Sequence, residues 1–181
     1  NNVITIHPDT VAKGNKFLSR ILVKELVHAS TSRYVSNYLK DNGDYKNADN
    51  PQQTPVAVRK LKVLYQELLT SGGDLKNSEE VSLLDFVNNY KKGDATTPED
   101  FNRFYGFSDI HEFMEMAITE PKFREFLDSI STREQKAKGQ GFLQRLKEAF
   151  KDIWKTMTNR EVSQEVIDTV SEIIFTNDSN N

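Results

Sequence analysis

Apolar residues recur at helical spacing along most of this chain, and that pattern limits what it can fold into. The clearest case is residues 142–157, where apolar side chains return every three or four positions along one face. Similar patterns occupy residues 15–40 and the segments that begin at Thr54-Pro55 and at Asp109. Only residues 2–7 (NVITIH) favour a strand. The sequence therefore predicts an α+β fold that is mostly helical, with a short N-terminal strand or small sheet.

Composition excludes several classes of protein. The chain has 181 residues, no cysteine and a formal charge of −3. Its length suits one domain, and the lack of cysteine excludes a disulfide scaffold, a cysteine-ligated metal and a thiol nucleophile. The near-balanced charge argues against a dedicated nucleic-acid binder. No apolar run approaches the ~20 residues of a membrane span, and the N-terminus lacks the apolar core of a signal peptide.

The most informative histidine lies in the sequence KELVHA, at residues 24–29. Zinc proteases carry two histidines four residues apart on a helix, so that both face one metal, and a glutamate after the first histidine serves as general base. Here Glu25 and His28 occupy the glutamate and second-histidine positions, but Lys24 occupies the first. A second segment, YGFSDIHEFMEMAITEPKF, follows at residues 105–123.

In this order, the two segments resemble the zincin-like (gluzincin-type) metallopeptidase domains of phages and mobile elements, over roughly residues 2–127. The resemblance implies that Glu25 is the general base, that His28 is a metal ligand, and that Glu112 is the carboxylate ligand on a second helix. Two residues depart from the family pattern. Lys24 replaces the first ligand, and Met116 replaces an acidic residue that supports the ligand shell.

The lysine makes the implied metal site incomplete. An ammonium group has no free lone pair at neutral pH, whereas a zinc site normally needs three protein ligands and an open position. His28 and Glu112 are therefore expected to be vestigial ligands, with no cofactor bound; zinc is expected only if the domain is active. We hypothesise that Lys24 forms a buried ion pair with Glu112 and so replaces the charge of the missing metal.

Three functions compete at this point. The favoured one is a pseudopeptidase, a zincin-like domain that serves as a binding or structural module within a phage or mobile-element protein. Its expected partner is another protein or a larger parent polypeptide. The chain begins at Asn1 rather than methionine, which indicates a processed product or an excised domain. The alternatives are an active zinc-dependent metallopeptidase with an unusual ligand set and a helical scaffold or interaction domain unrelated to peptidases. We expect a cytoplasmic or virion-associated protein without nucleic-acid or membrane partners; the substrate and the oligomeric state stay open.

Each singled-out residue also has a plainer interpretation. His28 fits a packed, hydrogen-bonded histidine, and Glu112 fits the N3 position of a capping box with Asp109. His111 fits a surface position, and His7 fits a strand end. Residues 133–155 carry seven basic against three acidic side chains, with Lys147, Lys151 and Lys155 at four-residue spacing. A solvated face is the default for such a stripe, and binding to an acidic surface is the alternative.

The predicted organisation has three parts. Residues 1–130 form the zincin-like domain around a long, central motif helix at residues 15–40, buried on much of its circumference. Residues 131–176 contain a C-terminal helical pair that packs on this domain or extends it, after a polar hinge at residues 131–141. Residues 177–181 form a disordered tail.

Overall fold

The computed structural model describes Pro8 and residues 14–71, 105–159 and 161–176, and this part of the chain is mostly helical. Single turns of 3₁₀-helix lie at Pro51–Gln53 and Tyr105–Phe107. The seven α-helices of the described residues are α1 (Asn15–Val35), α2 (Val56–Ser71), α3 (Ile110–Thr119), α4 (Pro121–Ser129), α5 (Arg133–Ala137), α6 (Phe142–Met157) and α7 (Gln164–Phe175).

Helix formation dominates the described residues, as the periodicity predicted. They contain no β-strand, and their one β-type pairing is an isolated antiparallel bridge between Leu39 and Tyr45. The strand predicted at residues 2–7 and the tail at residues 177–181 lie outside the described residues. Within the described ranges, no helix is both long enough and apolar enough to cross a membrane.

Helix α3 lies at the centre of the core. Its N-terminus follows the sequence prediction, because the Asp109 carboxylate accepts hydrogen bonds from the backbone N–H groups of His111 (2.8 Å) and Glu112 (2.9 Å). The Phe113 ring contacts those of Tyr65 on α2 and Phe123 on α4, with centroids 5.5 Å and 6.1 Å away. Five side chains of this helix are fully buried: Ile110, Phe113, Met114, Ala117 and Ile118.

The C-terminal end of α3 is stabilised by a buried arginine. Arg124, on α4, is 1% exposed, and its Nη1 donates to the carbonyl oxygens of Ala117 (3.2 Å) and Ile118 (3.1 Å). The last carbonyls of a helix have no partner within it and carry the negative end of its dipole. A cation at this position therefore satisfies carbonyl groups that would otherwise be buried without donors.

Helices α2 and α6 pack side by side in opposite directions. Lys60 Nζ lies 2.7 Å from Asp152 Oδ2, and Arg145 makes a two-pronged contact with Glu67, at 2.8 Å and 2.6 Å. Apolar residues of both helices belong to one buried cluster, which also contains residues of α3, α4 and α7. The core is therefore continuous across the predicted boundary at residue 130.

The motif helix differs from its predicted shape. It ends at Val35 instead of Lys40, because the chain turns at residues 36–38 and Leu39 becomes fully buried in the bridge. Gly43 has φ of +81°, and a Cβ there would lie 3.1 Å from the Tyr65 ring, so this turn requires glycine. Gly43 thus shapes the following loop and does not end the helix.

The motif helix is also less buried than predicted. Leu26 and Ala29, both assigned to its inward face, are exposed, and Leu26 is 56% exposed. The buried residues of the helix are Lys24, Thr31 and Val35, which share one stripe at seven- and four-residue spacing. The helix therefore lies along the outside of the core on a single face, and the prediction of a central helix was wrong.

The segment predicted as a hinge, residues 131–141, contains the short helix α5. Thr132 accepts a hydrogen bond from the Gln135 backbone N–H (3.1 Å), and the Gln135 side chain accepts one from the Thr132 N–H (2.8 Å). This is a capping box of the form T-x-x-Q, which satisfies two N–H groups reciprocally. The T-x-x-Q spacing is present in the sequence, but the glycines and the polar composition of the segment favoured a loop.

We expect Tyr65→Phe to lower the free energy of unfolding at neutral pH. We also expect it to reduce the loss of stability at alkaline pH. The buried Tyr65 hydroxyl donates to the Phe107 carbonyl oxygen (3.0 Å), and its loss should cost about 1–2 kcal/mol. Burial, with the nearby Asp109 charge, raises the Tyr65 pKa above its ordinary value of 10.0. The stability due to the protonated phenol is then complete below about pH 10 and is lost above it.

The measurement is the free energy of unfolding from urea titrations between about pH 7 and pH 12. The variant should lose less stability than the parent protein above about pH 10. Parallel curves over this range would contradict the prediction.

Candidate functional site

The two helices that carry the motif segments pack against each other. The Ile110 N–H, at the start of α3, donates to the Asp41 carbonyl oxygen (2.9 Å), beyond the C-terminal end of α1. Further along α3, Glu115 Oε2 lies 3.8 Å from His28 Nε2. The contacts therefore run in opposite order along the two segments, as in an antiparallel packing of α1 on α3.

His28 faces a carboxylate on α3, and that carboxylate belongs to Glu115. The His28 side chain is 18% exposed and that of Glu115 is 47% exposed. At 3.8 Å the two atoms are too far apart for a hydrogen bond, so the contact is an ion pair when the imidazole is protonated. The predicted residue, Glu112, lies one helical turn away on the same helix, at a half-buried position.

Lys24 is buried, with 7% of its surface exposed. It precedes His28 by about 6 Å along α1, while Glu112 precedes Glu115 by about 4.5 Å along α3. Because the packing is antiparallel, these offsets point in opposite directions from the His28–Glu115 contact. An ion pair between Lys24 and Glu112 would thus need both side chains to extend toward each other, and it stays a prediction.

The remaining predicted residues do not complete a metal site. Glu25 is half-buried on α1, next to Lys24 in sequence. Within residues 14–71, 105–159 and 161–176, no three histidine, aspartate or glutamate side chains are grouped so that they could hold a metal ion. His28 with one carboxylate supplies two ligands, whereas tetrahedral zinc sites use at least three protein ligands.

Glu115 is the residue that sequence reasoning missed. It follows Glu112 by three positions, so both side chains share a face of α3. A helical projection of residues 110–119 would have shown that any helix approached by Glu112 is also approached by Glu115. The assignment went to Glu112 because the family motif, rather than the helix geometry, selected it.

His111, the other described histidine, pairs elsewhere. Its Nε2 lies 3.6 Å from Asp41 Oδ1, at the loop beyond α1, and its side chain is 24% exposed. This contact joins the start of α3 to the loop. His7 lies outside the described residues.

Thr31, three residues after His28, contacts α6. Thr31 is fully buried; its hydroxyl donates to the Val27 carbonyl oxygen (2.6 Å) and accepts from Trp154 Nε1 (3.0 Å). Trp154, on α6, therefore positions the motif helix through a buried hydrogen bond. The sequence indicated that Trp154 belongs to the core, and it is 5% exposed.

Comparisons with known proteins identified no relative of the chain. No protein-family model, no curated protein and no solved structure matches the chain.

We expect Thr31→Val to destabilise the protein by about 1–3 kcal/mol, because it leaves the buried Trp154 N–H without its acceptor at nearly constant volume. Urea unfolding measures the loss, and the fluorescence of the single tryptophan reports the local change.

Thr31→Ser is the matched control, since it keeps the hydroxyl and removes one methyl group. It should cost no more than about 1 kcal/mol. If both variants lose the same stability, the hydrogen bond is not what holds α1 on α6.

Proposed function

We propose that this chain is a degenerate zincin-like metallopeptidase domain, a pseudopeptidase that serves as a binding or structural module of a phage or mobile-element protein. Glu25 and His28 are remnants of a catalytic motif, and Glu112 with Glu115 supplies the acidic face opposite it. The domain acts through its surface or as part of a larger polypeptide, with another protein as partner, and it needs no bound metal.

The first support is the packing of α1 on α3. The two sequence segments that carry the resemblance are about eighty residues apart, yet their helices touch, and His28 approaches a carboxylate of the second helix at 3.8 Å. In a metallopeptidase of this kind, the second histidine and the distal glutamate come from two helices that meet at the metal. The His28–Glu115 contact fits this arrangement with the acidic position moved by one turn.

The observation that carries the proposal is the burial of Lys24 at the first ligand position. Lysine is rarely buried, because removing an ammonium group from water is costly unless it is paired. At this position a buried positive charge occupies the place that the resemblance assigns to the first ligand of the ancestral metal ion. The ammonium takes over the electrostatic role of that ion, and it supplies no site for activating water.

Restoring the missing ligand tests the proposal. Lys24→His should bind about one zinc ion per chain, since it would complete three ligands with His28 and a glutamate of α3. The parent protein should bind none after dialysis against the same zinc concentration. Metal analysis by mass spectrometry gives the stoichiometry, and cobalt substitution reports the coordination number by absorption spectroscopy.

Controls separate the outcomes. Lys24→Met removes the charge without adding a ligand and should bind no zinc. In the Lys24→His background, Glu115→Gln and Glu112→Gln reveal which carboxylate completes the site, and we expect Glu115 to matter more. A folded Lys24→His variant without zinc affinity would leave a helical domain unrelated to peptidases. Stoichiometric zinc in the parent protein would favour an active metallopeptidase with an unusual ligand set.

A further inference from the structure

A surface groove runs between α2 and α6, away from the helices of the candidate site. It encloses about 530 Å³ and is lined mainly by Val56, Arg59 and Val63 from α2 and by Arg145 and Ala149 from α6. None of the residues that line it belongs to α1 or α3. The groove is thus independent of the proposed pseudopeptidase site.

The groove displays two exposed valines on one helical face. Val56 is 59% exposed and Val63 is 56% exposed, and they belong to a group of only four large apolar side chains that are this exposed among the described residues. A spacing of seven residues places them on the same side of α2, about 10.5 Å apart. A helix with valines in such a stripe has the pattern of a surface that packs against another helix.

The charges around the groove are unevenly paired. Lys60 is held by Asp152 and Arg145 by Glu67, across the two helices. Arg59, between the valines, has no acidic partner among the described residues: its Nη1 donates to the neutral Gln52 side chain (2.7 Å), and its Nε has no acceptor there. Glu148 also lines the groove; it accepts a hydrogen bond from Gln144 (2.9 Å) and lies 3.9 Å from Lys151. The groove therefore combines an apolar stripe with three basic side chains and one acidic side chain, and of the basic ones Arg59 lacks a carboxylate partner.

We propose that this groove binds an acidic amphipathic helix of a partner protein. Two antiparallel helices form a trough that a third helix fills, with its apolar side chains over the valines. A glutamate of the incoming helix would pair with the Arg59 guanidinium, which suits carboxylates through parallel hydrogen bonds. The distance between the valines corresponds to two helical turns, so a short helix covers the site.

A second groove on the molecule lacks this charge. It lies between α1, α6 and α7, has a volume of about 250 Å³, and includes the exposed Leu26 and Val166. The residues that line it are apolar or uncharged, so nothing there selects between acidic and basic partners. Leu26 is as exposed as Val63, which makes it the matched control for a substitution in the proposed groove.

The test uses two synthetic peptides that form helices of about three turns. Both carry leucines on one face; one carries glutamates beside them, and its twin carries lysines at the same positions. We expect the acidic peptide to bind the full chain at least about tenfold more tightly than its twin, because like charges at Arg59 are repelled. Fluorescence anisotropy at low and at physiological salt measures both affinities.

Three variants locate the binding. Val63→Glu should weaken binding of the acidic peptide at least about tenfold, whereas Leu26→Glu should leave the affinity for this peptide unchanged. Arg59→Glu should reverse the preference in favour of the basic peptide. Val63 and Leu26 are exposed and Arg59 is half-buried, and thermal unfolding followed by circular dichroism verifies that each variant folds.

Other results would overturn the proposal. Equal affinities for the two peptides, or equal weakening by Val63→Glu and Leu26→Glu, would show that the groove does not select an acidic helix. Dimerisation that Val63→Glu abolishes, seen by analytical ultracentrifugation, would assign the groove to a second copy of the chain. Tighter binding of a single-stranded oligonucleotide that needs Arg59 would assign it to nucleic acid. None of these variants changes the zinc experiment, so the two proposals fail separately.

Discussion

The packing of Phe113 is the interaction on which the rest of this structure depends. This one ring touches Tyr65 on the sequence-distant α2, Phe107 in the turn before α3, and Phe123 on α4, so it joins three segments. Helix α3 can lie at the centre only because both of its ends are satisfied, by the Asp109 carboxylate and by the buried Arg124 guanidinium. Apolar contacts thus set the position of the helix, and polar contacts satisfy the backbone groups at its ends, which would otherwise be buried without partners.

The motif helix is attached to this core in a different way. Besides the apolar contacts of Val27 and Val35, it meets the core through polar groups: Thr31 with Trp154, His28 with Glu115, and the buried Lys24. Such contacts are worth little unless their geometry is right, but an unsatisfied member is costly, so they specify one orientation of α1 more than they add stability.

Local signals in the sequence predicted much of the fold. The periodicity of α6, the proline at the start of α2 and the Asp109 cap depend on neighbouring residues alone, and the structure agrees with them to within a residue or two. The prediction of which face of α1 is buried was wrong because apolar residues occur around much of that helix. Periodicity could not show which stripe contacts α3. Its end was wrong because the burial of Leu39 is a tertiary effect. The two motif segments lie on helices that pack together, but the carboxylate that faces His28 depends on how those helices pack, which a single sequence does not show.

The two ion pairs between α2 and α6 join residues seven apart on each helix, Lys60 and Glu67 facing Asp152 and Arg145. Because the helices are antiparallel, sliding one past the other by a single turn would break both pairs together and place like charges nearer each other. The two pairs therefore favour one register of the helices, in addition to the apolar contacts beneath them. A partner that enters the groove would meet both helices in this register, so its shape as well as its charge would have to fit.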